Sequence, residues 1–381
     1  MSRRRTRSLR NHWLLVFLVA VVAALVPAGA AQGSDSGGSG HRPEFTVMTR
    51  NLYLGTGLTN LLTATTLPQF VAAVTQDWAN VVATDFPTRA RALADEIRRA
   101  RPDVVGLQEV SLWRDQTPSD ILGPSGTPVG VPTPNATHVV YDFLALLRAQ
   151  LAARGIPYVP VSISVNADAE SPRAAAGGGF TDVRLTDRDV ILVRAPLAGR
   201  FSNPASGHYA AQLTVPTIAG PVSFTRGWAS IDYRPDARTK VRIFDTHLEV
   251  EDPSVAAAVQ EAQAVEFLGV VAASPSPVVA LGDFNSAADG STTLTYKLLT
   301  HVLTDAWQTA RPHDTGLSCC QSELLDNRTS TASQRIDLVL TTRPWVAEEA
   351  RRTGTTPFRT TRPPFWGSDH FGVAAELELR R

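Results

Sequence analysis

The residues best suited to chemistry in this 381-residue chain stand where short apolar runs of strand length end. Glu109 follows the run 104–107, and Asp283 and Asn285 follow the run 278–281. Carboxylate and amide oxygens at a strand end are the ligands that Mg²⁺ and Ca²⁺ prefer. Asp-x-Asn is also common in plain turns, and a lone Glu is common in solvated loops, so neither motif identifies a site by itself.

Two histidines and two further acids occupy the same kind of position. His247 ends a strand-like run, Asp369 and His370 precede another, and Asp337 opens a third. Histidine titrates near neutral pH and can accept or donate a proton, and a carboxylate such as Asp337 can orient it. Because side chains alternate along an extended chain, Asp369 and His370 can serve two roles, one toward a metal and one toward the scissile group.

In chain order, these motifs resemble those of the endonuclease/exonuclease/phosphatase superfamily, which includes pancreatic-type deoxyribonucleases, abasic-site endonucleases, bacterial sphingomyelinases and inositol-polyphosphate 5-phosphatases. The matching residues are Asn51, Glu109, His247, Asp283, Asn285, Asp337, Asp369 and His370. The resemblance runs from Phe45 to the C-terminus, and Gly-Asp-Phe-Asn and Ser-Asp-His are its most specific parts. Arg226 matches a phosphate-contacting arginine of the family less firmly, and a surface arginine is the alternative.

The resemblance implies an α/β fold class, a four-layer α/β/β/α sandwich with two mixed β-sheets packed face to face and helices outside. It also implies hydrolysis of a phosphate ester with Mg²⁺ as cofactor, Mn²⁺ or Ca²⁺ being alternatives. By matching position, Glu109 is the expected principal metal ligand. Asn51 would help to hold the metal or its waters, and Asp369 would lie near the metal.

The resemblance also assigns the catalytic roles. Asp283 and Asn285 would position the attacking water and the phosphate. His370, paired with Asp337, would act as a base or as a contact to the transition state, and His247 would be the general acid for the leaving oxygen. Metal and cationic donors suit the charge that phosphate-ester hydrolysis spreads over oxygen atoms. No covalent intermediate is required, and no Gly-x-Ser-x-Gly motif occurs in the sequence.

Apolar spacing predicts the elements that must carry these motifs. Strands are predicted at 45–48, 104–107, 158–165, 189–193, 222–233, 241–247, 277–281, 336–340 and 372–379. Helices are predicted after Asp85, over 139–154 and from Asp252-Pro253, and the stretch 112–138 is predicted as a long loop. The face expected to be buried on the last helix carries Val255, Val259, Ala262 and Val265. Alternating strands and helices at both ends, with paired strands between, favour mixed sheets.

The N-terminal region indicates export. Five arginines lie within the first ten residues, followed by fourteen consecutive apolar residues and Ala28-Gly29-Ala30. This order is typical of a cleaved signal peptide, and the apolar run is short for a membrane-spanning helix. We therefore expect a signal peptide at 1–30, a flexible Gly/Ser-rich linker at 31–43, one domain at 44–381 and a secreted protein. An uncleaved membrane anchor is the alternative.

Charge and composition narrow the substrate only slightly. The whole chain carries 36 basic and 36 acidic residues, and loss of 1–30 removes five arginines and no acid. The remaining 31 basic and 36 acidic residues give a net charge of −5, so any attraction for phosphate must be local. Nucleic acid and a phospholipid- or sphingomyelin-like diester are the two expected substrates. A phosphomonoesterase acting on a soluble phosphate and a catalytically silent binding module are the alternatives.

Two further features bear on partners and on the rim of the site. The apolar pairs Leu112-Trp113 and Phe365-Trp366 could contact lipid or could be packed inside. The expected partners are the phosphodiester substrate and, transiently, a membrane surface, and the protein is expected to be a monomer without an obligate protein partner. Cys319-Cys320 is expected on the rim of the site, as two packed thiols or as a vicinal disulfide.

Overall fold

Two large β-sheets, one of eight strands and one of six, organise the part of the chain that this computed structural model describes. The described residues are 44–130, 133–218, 220–251 and 255–380. The predicted signal peptide and linker lie outside these residues. Everything described belongs to one compact unit.

The first sheet contains, in spatial order, β15 (Trp345–Thr353), β16 (Gly372–Leu379), β1 (Glu44–Asn51), β2 (Val104–Gln108), β6 (Phe180–Arg194), β3 (Leu112–Gln116) and β4 (His138–Asp142), with β5 (Tyr158–Ala174) paired to β6. The second sheet contains β13 (Thr304–Asp305), β14 (Asp337–Thr341), β12 (Val278–Asp283), β11 (Val241–His247), β10 (Gly227–Tyr233) and β7 (Phe201–His208). A separate hairpin is formed by β8 (Leu213–Thr217) and β9 (Gly220–Phe224).

Helices connect these strands. They are α1 (Thr59–Thr63), α2 (Leu67–Ala83), α3 (Phe86–Ala100), α4 (Phe143–Ala153), α5 (Val255–Ala272), α6 (Thr295–Val302) and α7 (Ala306–Ala310). Asp85 caps α3 as the sequence predicts, because its carboxylate accepts the backbone N–H of Thr88 and Pro87 stands in the first turn.

Alternation of side chains along the strands builds four layers. Val104 and Val279 face the space between the two sheets, whereas their neighbours Val105 and Val278 face outward. Helices α3 and α4 cover the outer face of the first sheet, and α5 and α6 cover that of the second. Strands buried on both faces explain the continuous apolar runs in the sequence. The predicted four-layer sandwich of two mixed sheets is confirmed.

Strand register brings the polar motifs to one end of the sandwich. Strands β1 and β2 are parallel, with Asn51 opposite Gln108, and β11 and β12 are parallel, with His247 opposite Asp283. Strand β14 runs antiparallel to β12 and begins with Asp337 opposite Asp283. Since parallel strands end at the same edge, residues that terminate strands in the sequence become neighbours in space.

Helix α5 buries a different face from the one predicted. Val255 is 68% exposed and Val265 is 36% exposed, so the predicted face is wrong. The buried residues are Ala256, Gln260, Gln263, Ala264, Phe267 and Val271. The helix is apolar on all sides, so spacing alone does not select the inner face. The two glutamines select it, because their side-chain amides bond backbone carbonyls of neighbouring loops. By length and composition α5 could also cross a membrane, a test that core helices pass as well.

The predicted loop 112–138 and the predicted helix start at 139 are also partly wrong. Residues 112–116 form β3, and 138–142 form β4 rather than the first turn of a helix. Trp113 anchors β3 between β6 and β4, and its indole N–H donates to the carbonyl of Leu54. These pairings join segments that are far apart in the sequence, which local spacing does not record.

Gly106 tests the packing between the sheets. An added Cβ would lie 2.4 Å from Asp245 Oδ1 and 3.1 Å from Leu281 Cβ, so we expect Gly106→Ala to lower the free energy of unfolding by ~1–3 kcal/mol. Gly269→Ala is the matched control, because nothing lies within 4 Å of its added Cβ and alanine favours the helix by ~1 kcal/mol. Urea unfolding measures both, and equal stability of the two variants would contradict the packing described.

Candidate active site

A cleft of about 580 Å³ lies where β2, β11 and β12 end and β16 begins. Seven of the nine residues singled out from the sequence line it: Glu109, Arg226, His247, Asp283, Asn285, Asp369 and His370. The other two, Asn51 and Asp337, are fully buried directly behind the cleft and bond to residues that line it. The structure therefore brings all nine together.

Asn51 joins the two sheets within the site. Its side-chain nitrogen donates to Glu109 Oε1 at 2.9 Å and to Asp283 Oδ2 at 3.0 Å. Glu109 follows a strand of the first sheet, and Asp283 ends a strand of the second. The other oxygen of Glu109 accepts the backbone N–H of Leu54 at 2.6 Å. Both carboxylates are thus held in place by neutral donors that leave further lone pairs free.

Two buried arginines hold the segments behind these residues. Arg89 donates to four backbone carbonyls, those of Leu52, Tyr53, Thr84 and Gly367. Arg50 donates to the carbonyl of His370 at 2.5 Å and pairs with Glu96 at 3.0 Å. The chain after β1 and the chain before β16 are therefore fixed to each other, which fixes the side chains that they carry.

His370 is oriented by a carboxylate and is surrounded by negative charge. Its Nδ1 lies 2.9 Å from Asp337 Oδ2 and 3.6 Å from Asp283 Oδ2, which leaves Nε2 directed away from this pair. Burial by itself lowers the pKa of His370, but Asp337, Asp283 and Asp369 outweigh burial and raise it well above its usual value. These three carboxylates therefore favour the protonated form of the imidazole.

The surroundings of His247 shift its pKa in the opposite direction. Its Nε2 lies 3.1 Å from the side-chain nitrogen of Asn285 and 3.7 Å from Asp283 Oδ2. Burial, together with the positive charges of Arg226 and His370, lowers the pKa of His247 well below its usual value. The pKa values of the two histidines are thus shifted in opposite directions, because His370 lies among three carboxylates whereas His247 is buried near two cations.

The acidic residues fit a hard divalent cation. Removal from water, followed by the charges of Asp369 and Asp187, raises the pKa of Glu109 to about 7. Burial and Asp337 raise the pKa of Asp283 to about 6, and burial also raises that of Asp369. Crowded carboxylates of this kind are stabilised by Mg²⁺, Mn²⁺ or Ca²⁺, which prefer oxygen ligands. Glu109, which is bonded to Asn51, and Asp369 both present their carboxylates on the cleft wall.

Sequence reasoning missed a group of polar residues on the same wall. Asp187, Asn166 and Glu249 line the cleft, and Asp189 lies behind them. Arg226 pairs with Glu249 at 3.5 Å; burial lowers the pKa of this arginine, but Glu249, Asp187 and Asp189 outweigh burial and raise it. Arg226 is therefore a buried cleft residue and not a surface arginine. The sequence signal for Asp187 and Asp189 is the Asp-x-Asp motif directly before the apolar run 190–193.

The two cysteines lie behind His370 and are not among the described residues that line the cleft, so their predicted place on its rim is not observed. Cys319 and Cys320 are joined by a disulfide, and Cys319 Sγ lies 3.5 Å from His370 Nε2. Their segment also bonds the backbone on both sides of His370. The aromatic residues considered for lipid contact are buried, so the packed alternative holds for Trp113, Phe365 and Trp366.

Comparison with known proteins agrees with this geometry. Residues 78–370 match the sequence profile of the Endonuclease/Exonuclease/phosphatase family, well over half of the chain. The chain belongs to this family. Members of the family are metal-dependent, hydrolytic phosphoesterases, so the chain has a phosphoesterase fold. No curated protein matches the chain by sequence.

Several solved structures share the fold of the chain. A family protein from Bacteroides thetaiotaomicron superposes with a TM-score of 0.54 at 15% identity, over 90% of this chain and 100% of that one. A family protein from Beutenbergia cavernae gives 0.51 at 20% identity, over 89% and 72%. A mannosyl-6-phosphatase from Bacteroides thetaiotaomicron gives 0.51 at 15% identity, over 87% and 99%. At such low identity these structures establish the architecture of the chain and leave its substrate open.

The charge of His370 can be tested directly in metal-free protein. We expect Asp337→Asn to lower the pKa of His370 by roughly 1–3 pH units, because loss of an adjacent negative charge favours the neutral imidazole. NMR titration of the histidine side chains measures this change, with Glu349→Gln as a control that removes an exposed carboxylate elsewhere. An unchanged pKa in Asp337→Asn would show that the other acids hold the charge.

Proposed function

We propose that this protein hydrolyses a phosphodiester by metal-assisted attack of water. The observation that carries the proposal is the link through Asn51 between Glu109, a carboxylate suited to a metal, and Asp283, which adjoins both histidines. A phosphate bound between Glu109 and Asp283 would have the metal-binding carboxylate on one side and the two histidines, which can carry protons, on the other. This division of roles suits an in-line displacement at phosphorus.

Glu109 and Asp369 would hold the metal, with Asn51 fixing Glu109. When bound, a divalent cation withdraws charge from the phosphate oxygens and so favours attack. Mg²⁺ is the proposed ion, and Mn²⁺ or Ca²⁺ are alternatives with the same preference for oxygen ligands. The residues of the chain itself then align the water and move the protons.

Asp283 and Asn285 are placed to align the attacking water and the phosphate. The backbone N–H of Asn285 donates to Asp283 Oδ1 at 3.0 Å, which fixes the two side chains relative to each other. His370, whose protonated form Asp337 favours, can donate from Nε2 to a phosphate oxygen as charge develops on it. The bond from phosphorus to the ester oxygen breaks as the bond to water forms. Asp283 is the proposed acceptor of the proton that the water gives up, and the leaving oxygen takes up another proton.

His247 is the proposed donor of the proton that the leaving oxygen takes up. Burial and the two cations near it lower its pKa, and an anionic phosphate in the cleft would oppose those cations and raise the pKa toward the range of a useful acid. Arg226 lies on the same wall and can contact the phosphate, although it shares its charge with Glu249. Both residues belong to the second sheet or the turn that enters it, opposite Glu109.

The wall of the cleft favours an ester with an apolar portion over nucleic acid. Leucines and valines from α1, β6, β8 and the chain after β11 line it, namely Leu58, Leu62, Leu185, Leu213, Val215 and Val250. Among the described residues lining the cleft, Arg226 is the one lysine or arginine, and it is paired. A nucleic-acid groove needs several backbone-contacting cations and stacking aromatics. We therefore place a phospholipid-like diester first and nucleic acid second.

Metal removal and two variants test the chemistry. EDTA should abolish cleavage of an activated soluble phosphodiester, and Mg²⁺ or Mn²⁺ should restore it. His370→Ala and Asp283→Ala should each lower kcat by roughly 10²–10⁴-fold, because each removes a group that acts on the reacting atoms. His313→Ala, an exposed histidine, is the matched control. Full activity in either site variant, with the fold intact by circular dichroism, would refute the assignment.

A substrate panel tests the preference. With equal phosphate concentrations, we expect higher kcat/KM for a phospholipid or sphingomyelin in mixed micelles than for plasmid DNA, RNA or a soluble phosphomonoester. Val250→Asp should lower turnover of the micellar substrate about tenfold more than turnover of a small soluble diester, because it places a charge on the apolar wall. Faster cleavage of DNA, with no effect of Val250→Asp, would favour the nuclease.

We also propose that the protein is exported. The support is the arginine-rich start, the apolar run and Ala28-Gly29-Ala30 of the leader, together with a disulfide that oxidising compartments favour. Mass spectrometry of protein from the culture medium should find an N-terminus near residue 31. Retention of the whole leader in the membrane fraction would instead indicate an anchor.

A further inference from the structure

A second group of carboxylates lies away from the cleft, on the hairpin formed by β5 and β6. Asp120 precedes this hairpin in the chain, Glu170 lies in β5 and Asp182 lies in β6. One carboxylate oxygen of each lies within 4.8 Å of those of the other two. Glu170 and Asp182 are buried, and Asp120 is exposed. None of the three lines the cleft or takes part in the proposed reaction.

The hydrogen bonds found for this acidic group come from neutral donors. Glu170 Oε2 accepts the backbone N–H groups of Asn135 and Ala136 at 2.6 and 2.8 Å, and Asp120 Oδ2 accepts the side-chain amide of Asn135 at 2.6 Å. Asp182 accepts the hydroxyl of Ser119 at 2.5 Å and the N–H of Asp120 at 2.9 Å. Such donors orient three negative charges without neutralising them.

The nearest arginines are engaged elsewhere. Arg184 stands opposite Glu170 in the hairpin, but its guanidinium bonds Asp168, with Nε at 2.7 Å from Oδ1. Arg114 bonds Thr186 and lies 3.5 Å from Asp168. The side-chain hydrogen bonds of both arginines therefore go to groups other than the three acids, although their positive charges still act on Glu170.

Glu170 gives an independent indication of a ligand. The residue is only 7% exposed, yet its Oε1 atom is buried and accepts no hydrogen bond. Oε1 belongs to the same carboxylate that approaches Asp120 and Asp182. A buried carboxylate oxygen without a partner is costly, and a cation between the three side chains removes that cost.

We propose that Asp120, Glu170 and Asp182 bind a divalent cation, and that this cation is Ca²⁺. The ligands are all oxygens from three separate segments, and the exposed side of Asp120 leaves room for water. Ca²⁺ accepts six to eight oxygens in flexible geometry, whereas Mg²⁺ requires a near-ideal octahedron and Zn²⁺ favours nitrogen and sulfur.

The proposed ion would stabilise one wall of the cleft. Asp120 and Asn135 belong to the long connection between β3 and β4, and Glu170 and Asp182 belong to the β5–β6 hairpin. The same hairpin also lines the cleft, through Asn166 and Ala167 of β5 and Leu185 and Asp187 of β6. An ion at the acidic group therefore ties the connection to the hairpin on which part of the cleft is built.

Calcium binding by the EDTA-treated full chain tests the proposal. Isothermal titration with CaCl₂ in saturating MgCl₂ should show a site that Glu109→Gln retains and that Glu170→Gln/Asp182→Asn loses. At a hundredfold excess over Kd, Ca²⁺ should raise the thermal midpoint of the parent by about 4 °C and leave that of the double variant unchanged. Glu349→Gln, which removes an exposed carboxylate elsewhere, should keep the full response.

Stability in EDTA separates a binding site from a purely structural network. The amides in Glu170→Gln/Asp182→Asn keep an oxygen acceptor and remove repulsion, so in EDTA the double variant should be at least as stable as the parent. Should the double variant fail to fold, Asp120→Asn alone, at an exposed position, should weaken Ca²⁺ binding at least tenfold. Absence of a magnesium-resistant calcium site in the parent, or an equal calcium response in parent and variants, would overturn the proposal.

Discussion

The side-chain amide of Asn51 is the contact on which the geometry of the site depends. One nitrogen with two hydrogens donates to Glu109 of the first sheet and to Asp283 of the second. A neutral donor can hold two carboxylates that would otherwise repel each other. The distance between them is therefore set by how the two sheets pack, which is decided by aliphatic side chains along the whole interface between them. The packing of the core therefore determines how the two carboxylates are positioned.

The same arrangement places several acidic groups inside the protein, where any negative charge that they carry is costly. Burial raises the pKa of Asp189 and Asp245 well above the usual value, and both lie near the cleft acids. Arg226 and the His370 cation offset part of this charge, and a bound metal offsets more. The charge that is not offset lowers the stability of the folded protein, and burial of the apolar layers must exceed this loss. Such a loss of stability is common where a protein maintains an acid-rich site for a ligand.

The sequence allowed prediction of the residues at strand ends and of the layers, because each depends on a local signal. A strand buried on both faces has a continuous apolar run, and the polar residue that ends it, such as Glu109 or Asp283, marks the edge of a sheet. Parallel pairing then makes such residues neighbours. This reasoning found eight of the nine residues singled out from the sequence, whereas Arg226 and the roles assigned to all nine rest on the family resemblance.

What the sequence left open depends on contacts between distant segments. The inner face of α5 is chosen by Gln260 and Gln263, whose partners lie in loops elsewhere. The strand at 138–142 exists because β3, which is itself paired with β6, lies beside it. The apolar wall of the cleft comes from four separate elements, none of which signals a binding surface on its own. Spacing along one segment contains no information about such partners.

The first and last strands in the sequence are neighbours in the first sheet. Strand β1 pairs with β16, with Glu44 opposite Glu378, and Asp369 and His370 stand directly before β16. Asn51 and Glu109 lie in or near the first strands of the chain, whereas Asp369 and His370 stand directly before β16. The site is therefore complete only once β16 has paired with β1, and any change that detaches β16 would displace Asp369 and His370 as well.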